Sequence, residues 1–424
     1  MSMKQNMMNV LLVSVAAFVL WLPCVATAEP DDGFGYTISE VVARQRWPWE
    51  HKVDIDFLLT PPADAREEQL VRIGVVASND TQEVAISADA LSGTIVASEG
   101  YRRIVWDPTV DRSGPPLSHL KFFLSVSATN VIADYMTVDL KTGDVEYKEA
   151  DFSAEVNTDL YKTSKMAFRY IQPGTFKMGS AAVEATLTKG FYIGVFEVTQ
   201  AQWKHVRGIY PESYFLKERE MRPAETVSYH LIRGTNLGTN WPFASTVDAD
   251  SFLGAFRGLT EIEKFDLPLE AQWEYACKAG TSTYFNDGDS SATVSGTNGV
   301  TNVWLNALGR YKHNGGYIDG VARPEPDCGP TNGTAIVGSY LPNRWGLYDM
   351  HGNVNELCRD WYGYTYGGVD PVGPDSYETS SPMNPFRGGS WSSLPGTCIS
   401  RIRDAYQARW AQELYGFRLV LDLP

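Results

Sequence analysis

Short runs in which apolar and polar residues alternate dominate the first part of the chain. Residues 53–57 alternate valine, isoleucine and phenylalanine with two aspartates, and residues 122–127 and 136–140 repeat this period of two. The segment KTGD at 141–144 has the composition of a hairpin turn. Because successive side chains of a strand point to opposite faces, the pattern predicts strands with one buried face. We therefore predict a small β-sandwich over residues 29–150, which serves as a spacer or binding module.

The pattern changes after residue 150. Residues 151–165 begin with acidic and polar positions and are predicted to form a linker. From residue 166 to 424, glycine, proline and tryptophan become frequent and long periodic stretches disappear. This texture predicts a second, loop-rich α+β domain with few helices. Such a chain must satisfy its backbone groups through turns, side chains or bound ions, which already favours a structural metal.

Residues 1–28 have the features of a secretory signal peptide. Lys4 precedes an apolar run over residues 10–22, and the segment VATA ends at Ala28. The apolar run is too short to favour a membrane-spanning helix. We predict cleavage after Ala28, no transmembrane anchor in the remaining chain, and a secreted, periplasmic or cell-envelope location.

The net charge of the 424-residue chain is −15 at pH 7. An acidic surface argues against nucleic acid and anionic membranes as partners, because both are themselves negatively charged. The same charge suits cations such as calcium, although solubility alone also explains it and is the favoured interpretation. We therefore expect no nucleic-acid partner.

Four cysteines remain after removal of the predicted signal peptide. Cysteines in an exported protein often pair, and the three possible pairings stay open at this point. The sequence contains no Cys-x-x-Cys, His-Glu-x-x-His, Gly-x-Ser-x-Gly or phosphate-loop motif, so it does not indicate the chemistry of those sites. The four residues are Cys277, Cys328, Cys358 and Cys398.

Six segments of the second domain carry motifs in a fixed order. The first reads FRYIQPGTFKMGS and the fifth reads NRWGLYDMHGNV. The segments lie at 168–180, 191–203, 223–228, 267–276, 343–354 and, for the closing motifs, 387–391, 403 and 416–418. Together they resemble the formylglycine-generating, or sulfatase-modifying factor, family. The resemblance implies a loop-rich C-type-lectin-like fold and, in active members, the oxidation of a sulfatase cysteine to formylglycine with oxygen.

The resemblance also implies a structural calcium site. Asp349, Gly352, Val354 and Glu356 stand where members of the family bind calcium. Two carboxylates and two backbone carbonyls can surround one cation, and calcium prefers six to eight oxygen ligands of this kind. We predict calcium at this point of the fold; a capped turn with solvated carboxylates is the structural alternative.

The catalytic positions are implied by the same resemblance. Active members bind copper(I) with two thiolates, of which the second falls on Cys398 and the first on Ser393. A hydroxyl is a hard, protonated ligand for a soft ion, so most of the copper affinity should be lost. Ser390 matches the active-site serine of the family. Arg403 stands where some members have a cysteine paired with the position of Cys277.

Residues 267–276 are predicted to form a short amphipathic helix. Leu269, Trp273 and Ala276 have helical spacing, and burial of the indole stabilises the fold by about 2–3 kcal/mol. Leu269 replaces the capping threonine of the family, and its side chain cannot accept a backbone hydrogen bond. In the closing motifs, core packing with a buried ion pair is the favoured interpretation of Trp391, Phe417 and Arg418.

Three functions follow from these residues. The favoured one is a divergent binding member, or pseudoenzyme, that holds a protein, peptide or glycan ligand in the former catalytic cleft. The second is an oxygen-dependent enzyme with altered chemistry that uses Cys398 alone or with Ser393. The third is a formylglycine-generating oxidoreductase that uses copper and acts on a sulfatase. A shared fold does not decide between them, so whether the chain is an enzyme stays open.

Overall fold

The computed structural model describes most of the chain and divides it into two compact units, Met1–Thr129 and Asn130–Pro424. The described residues are 34–46, 50–65, 69–79, 83–111, 120–235, 246–289, 302–316, 333–363, 367–374 and 383–423. The predicted signal peptide, residues 1–28, and Cys328 lie outside these ranges. Across the described residues, no helix has the length and apolar character that crossing a membrane requires.

The first unit consists of two antiparallel sheets that share one core. One sheet has the strand order β1-β2-β7-β5, and in the other β3 pairs with β4, β6 and β8. The strands are β1 Thr37–Gln45, β2 Val53–Thr60, β3 Leu70–Ser78, β4 Glu83–Val84, β5 Leu91–Ser92, β6 Ile95–Ala97, β7 Gly100–Trp106 and β8 Lys121–Thr129, with a short helix α1 at Pro108–Asp111.

The alternation of apolar and polar residues along strand β2 corresponds to the two faces of this strand. Ile55 and Phe57 are fully buried in the core of the first unit. Asp54 and Asp56 alternate with them in the sequence and pair on the other face with Arg103 of strand β7, Asp56 at 2.6 Å. The period of two therefore separates apolar contacts from charged cross-strand pairs.

The predicted boundary at residue 150 differs from the one in the structure. Strands β9 Tyr135–Asp139 and β10 Val145–Lys148 form the predicted hairpin, but β9 pairs with β11, Lys165–Ile171, of the second unit. The alternation identified these strands correctly, whereas it carries no information on which sheet they join. The first unit accordingly ends at Thr129.

The prediction of a linker over residues 151–165 is wrong. This segment contains a 3₁₀ turn at Ala150–Ala154 and helix α2 at Leu160–Thr163. Phe152 and Tyr161 are buried and pack edge to face, with ring centroids 5.0 Å apart. These two rings anchor the segment within the second unit, because each buries a large apolar surface.

The second unit is an irregular assembly of small sheets and short helices. Its main sheet has the order β10-β9-β11-β14-β21-β15, beside a four-stranded sheet β19-β18-β16-β20 and a three-stranded sheet β12-β13-β17. The further strands are β12 Gly174–Met178, β13 Val183–Leu187, β14 Phe191–Gly194, β15 Phe265–Asp266, β16 Asn355–Leu357, β17 Gly368–Val369, β18 Met383–Arg387, β19 Asp404–Gln407, β20 Tyr415–Gly416 and β21 Val420–Asp422. The further helices are α3 Gln200–Arg207, α4 Tyr229–Arg233, α5 Phe252–Thr260, α6 Glu270–Lys278 and α7 Leu305–Leu308.

Helix α6 confirms the predicted amphipathic helix. The first turn of the helix is satisfied by groups other than the side chain of Leu269. Trp273 is fully buried in the core of the second unit. The backbone N–H of Glu270 donates to Asp360 Oδ2 at 2.6 Å, so a carboxylate from a distant segment satisfies one N–H of the first turn. The N–H of Leu269 donates to Gln272 Oε1 at 2.8 Å.

Candidate functional site

A tight turn places the three predicted catalytic residues. Gly388 and Gly389 have φ values of +91° and +80°, a left-handed conformation that glycine adopts without strain. A Cβ atom on Gly389 would lie 2.6 Å from the Sγ atom of Cys398. A glycine at this point therefore allows the backbone to pass directly over the thiol.

The side chains of Ser390 and Ser393, directly after this turn, contact each other. The Oγ atoms of the two serines are 3.2 Å apart, and the backbone N–H of Ser390 donates to Ser393 Oγ at 2.9 Å. Ser390 is 1% exposed, whereas Ser393 is partly exposed. The structure thus brings these two predicted residues together in contact, with Ser393 partly exposed.

The thiol of Cys398 has an apolar environment. Cys398 is fully buried, and its cluster includes Phe285, Leu305 and Tyr311. Burial raises the pKa of this thiol well above its usual range. Its backbone carbonyl accepts a hydrogen bond from Nδ1 of the buried His351 at 2.7 Å. A thiol that resists ionisation is a weak nucleophile and a weak metal ligand.

The other described thiols are also buried and difficult to ionise. Cys277, Cys358 and Cys398 are all free and buried. Burial raises the pKa of Cys277 to about 12 and raises that of Cys358 well above its usual range. Cys277 Sγ contacts His351 Nε2 at 3.8 Å, and Cys358 Sγ contacts the carbonyl of Glu356 at 3.9 Å. All three thiols therefore resist ionisation, which opposes their use as thiolate ligands for copper(I).

Glu356, one of the predicted calcium ligands, is engaged by an arginine. Its Oε1 and Oε2 atoms accept from Arg418 Nη2 at 2.7 Å and Arg418 Nε at 2.6 Å. Trp273 Nε1 donates to Oε2 at 2.7 Å. All three side chains are 1% exposed or less. The buried ion pair expected for Arg418 is present, and its partner is the carboxylate that the sequence assigned to calcium.

Asp349 retains a carboxylate oxygen without a partner. Its Oδ2 accepts from the backbone N–H of Gly338 at 2.6 Å, while the buried Oδ1 has no hydrogen bond to any described residue. Glu197 lies close by and accepts from Asn353 Nδ2 at 2.5 Å. Burial raises the pKa of Asp349 to about 6, and burial together with the charge of Asp349 raises that of Glu197.

These contacts agree with only some of the four predicted calcium ligands. Asp349 has a free oxygen, and Gly352 and Val354 follow it in the segment before strand β16. Glu356 does not fit, since both of its oxygens are held by Arg418. In the portion of the molecule that the structure covers, no three His, Cys, Asp or Glu side chains form a metal cluster. Any cation here would depend on Asp349 and backbone carbonyls.

Sequence reasoning missed the ionic partners around these sites. Glu197 lies in the motif at 191–203, and the sequence does not indicate its position next to Asp349. Arg403 takes the place of a bridging cysteine and instead donates to Glu270, with Nε to Oε1 at 2.8 Å. Arg387 also pairs with Glu270 and with Glu274. One feature of the sequence indicates such a network. Charged residues occur inside motifs that are otherwise apolar.

The comparison with known families defines the class of the second unit. Residues 154–423 match the family described as "Sulfatase-modifying factor enzyme 1-like domain". This match covers more than half of the 424 residues. The chain therefore belongs to the formylglycine-generating, or sulfatase-modifying factor, family. The predicted fold class, a loop-rich C-type-lectin-like α+β domain preceded by a β-sandwich, is confirmed.

Similar proteins include a chaperone and an enzyme. "Chaperone protein LppX" of Paenibacillus barcinonensis is 26% identical over 280 residues, which are 59% of this chain and 87% of that protein. "Formylglycine-generating enzyme" of Streptomyces coelicolor is 35% identical over 137 residues, 31% of this chain and 38% of that protein. The solved structure of PvdO from Pseudomonas aeruginosa has a TM-score of 0.43 at 19% identity, covering 61% of this chain and 94% of that one. The alignment thus reaches less than half of the enzyme.

Proposed function

We propose that this chain is an exported binding member of the family that does not generate formylglycine. The proposal rests on the residues at the two thiolate positions of the family, Ser393 and Cys398. A hydroxyl stands at the first thiolate position, and the remaining thiol is fully buried with a strongly raised pKa. Copper(I) needs soft, anionic ligands, and this pair supplies neither two sulfurs nor a readily ionised one.

The ligand of such a member is a protein, peptide or glycan bound at the surface beside the closing turn. Ser393 is partly exposed there, and it places a hydroxyl where family enzymes place a thiolate. A protein ligand is supported by the similarity to a protein named as a chaperone, which extends over 59% of this chain. A sulfatase is one protein ligand of this kind, bound without being oxidised.

The proposal predicts that the full chain does not oxidise a substrate cysteine. We expect no aldehyde when the protein is incubated with copper(I), oxygen and a peptide containing Cys-x-Pro-x-Arg, as measured by peptide mass. We also expect Ser393→Cys to raise copper(I) affinity at least tenfold, or about 1.4 kcal/mol, because it adds a second sulfur ligand. Competition with a chromogenic copper(I) chelator measures this change.

The matched control is Ser392→Cys, which adds a thiol one position away. We expect it to change copper affinity much less than Ser393→Cys. Aldehyde formation by the unmodified protein would overturn the proposal and support the oxidase. Aldehyde formation only after Ser393→Cys would show a cleft that lost its activity through this single residue.

Calcium binding at Asp349 is the second proposed property of this domain. Among the described residues, the buried carboxylate Oδ1 has no hydrogen-bond partner, and the carboxyl group of Glu197 lies nearby. A bound cation would stabilise the ionised forms of these buried carboxyl groups. After treatment with a chelator, we expect saturating calcium to raise the melting temperature by roughly 5 °C, given typical ligand and temperature scales.

The variant Asp349→Asn tests whether the response belongs to this site. We expect the calcium-induced shift to fall by more than half, because the free carboxylate oxygen is lost. Asp151→Asn, at an exposed aspartate, should leave the shift unchanged. An equal shift in both variants, or no shift in the unmodified chain, would contradict calcium binding at Asp349.

A further inference from the structure

Helix α2 carries a buried lysine that none of the predicted sites includes. Lys162 is 8% exposed, and its Nζ atom lies 5.6 Å from the centroid of the Phe196 ring. An ammonium group at this distance is attracted by the negative face of an aromatic ring. Lysine is almost never buried without a compensating partner, so the position of this charge needs a physical explanation.

Contacts from helix α3 fix the backbone at this lysine. The carbonyl of Lys162 accepts from Thr199 Oγ1 at 2.7 Å, and the carbonyl of Tyr161 accepts from Gln202 Nε2 at 3.0 Å. Thr199 is the N-cap residue of helix α3, and both donors are buried. Polar groups at the start of helix α3 therefore hold helix α2, which gives Lys162 a defined position in the second unit.

The Phe196 ring connects Lys162 to the carboxylate of Asp349. This ring packs against the ring of Tyr348, with centroids 5.0 Å apart, and Tyr348 directly precedes Asp349. A Cβ atom on Gly338 would lie 2.6 Å from Cε1 of the same Phe196 ring. The backbone N–H of Gly338 donates to Asp349 Oδ2 at 2.6 Å. The ring that contacts the ammonium therefore also contacts the residue that binds the carboxylate.

The charges of Lys162 and Asp349 act on each other through an apolar part of the core. Phe196 is 5% exposed and Tyr348 is 9% exposed, so little water screens the interaction. Burial raises the pKa of Asp349, and the charge of Lys162 opposes this effect. Burial lowers the pKa of Lys162, and the carboxylates of Asp159 and Asp349 oppose that change. A lysine starts from a pKa of about 10.4, so the ammonium is the form expected at pH 7.

Arg418, a second cation near Asp349, is already paired with a carboxylate. Its guanidinium binds both oxygens of Glu356, at 2.6 and 2.7 Å. The ammonium of Lys162 instead contacts an aromatic ring and acts on Asp349 through space. Removal of the Lys162 charge therefore leaves the pair of Arg418 and Glu356 intact and changes the electrostatic potential at Asp349.

We propose that Lys162 is an internal cation that limits calcium binding at Asp349. The inference rests on the calcium site proposed above. In the calcium-free chain the ammonium stabilises the Asp349 carboxylate, and it repels a divalent cation that approaches the Oδ1 atom of this residue. The position of helix α2 therefore sets the calcium affinity of the domain.

Neutral variants of Lys162 test the proposal on the full chain after treatment with a chelator. Lys162→Met removes the charge and keeps an apolar side chain against Phe196. We expect its calcium dissociation constant, measured by isothermal titration calorimetry at pH 7, to fall about tenfold. Lys162→Arg keeps the charge and should bind calcium within about twofold of the unmodified chain. Lys141→Met, at an exposed lysine, should leave the calcium affinity unchanged.

The charge of the metal ion separates electrostatic repulsion from a change in the shape of the site. Terbium(III) has a radius close to that of calcium and one more positive charge, so Lys162 repels it more strongly. We expect Lys162→Met to increase the affinity for terbium(III) by a larger factor than the affinity for calcium. Both gains should disappear in Lys162→Met/Asp349→Asn. If Lys162→Met does not fold, judged by circular dichroism, Lys162→Gln provides the neutral variant.

The outcomes separate this inference from the calcium site itself. Calcium binding in Lys162→Met alone would support the inference and contradict calcium binding by the unmodified chain. Equal calcium affinity in both would overturn the inference and leave the calcium site at Asp349 standing. Equal gains for calcium and terbium(III), or the same gain in Lys141→Met, would overturn it because the effect would not come from a local charge. No calcium binding in any variant would overturn both.

Discussion

Replacement of Arg418 by methionine is expected to lower the free energy of unfolding by about 3–5 kcal/mol. Arg418 holds both oxygens of Glu356, and its charge also stabilises the ionised forms of Glu197 and Asp349. Without the guanidinium, these buried carboxylates lose the cation that they share. The loss of one partner from a buried pair costs far more than the pair itself contributes. Urea denaturation at pH 7 measures the change.

A second substitution separates the charge effect from packing. In Arg418→Met/Glu356→Leu the buried pair is replaced by apolar side chains, and we expect stability to recover by at least 1 kcal/mol relative to the single variant. Arg409→Met, at an exposed arginine, should change stability by about 0.5 kcal/mol or less. A loss below about 1 kcal/mol in Arg418→Met would show that the carboxylates are neutral or compensated otherwise.

Local patterns in the sequence predict most strands and the main helix. The alternation over residues 53–57 separates the core of the sandwich from its charged face, and the helical spacing around Trp273 predicts a buried indole. These predictions succeed because burial acts on neighbouring positions with a fixed period. The same reasoning correctly reads the strands of the 135–148 hairpin, but it assigns them to the wrong unit.

Partners that are distant in sequence account for the remaining differences. Asp360 satisfies the N–H of Glu270 across 90 positions, and Glu356 meets Arg418 across 62. No period in the sequence records such pairs, so Glu356 is equally consistent with a calcium ligand and with an ion-pair partner. The order of the family motifs predicts the fold, whereas the geometry of the carboxylates needs the folded chain.

Substitution of Asp266 is expected to have the second large effect, because this one buried carboxylate forms ion pairs with three arginines. Asp266 is fully buried and pairs with Arg233 at 2.7 Å, Arg257 at 3.2 Å and Arg359 at 3.5 Å. We expect Asp266→Asn to lower the free energy of unfolding by about 3–5 kcal/mol at pH 7, since three buried cations lose their shared partner. Asp250→Asn, at an exposed aspartate, should have little effect.

The pH dependence distinguishes a charge effect from a loss of packing. Burial raises the pKa of Asp266, but Arg233 and Arg359 lower it by more, so the folded-state pKa lies below the ordinary value of 3.8. A carboxyl group with a lowered folded-state pKa stabilises the fold above its unfolded pKa and loses this contribution as pH falls through the folded value. The stability difference between the unmodified chain and Asp266→Asn should therefore be constant from pH 7 to about 5 and shrink only below about 4. A difference that stays the same down to pH 2 would show that asparagine disturbs packing and that the charge of Asp266 does not stabilise the three arginines.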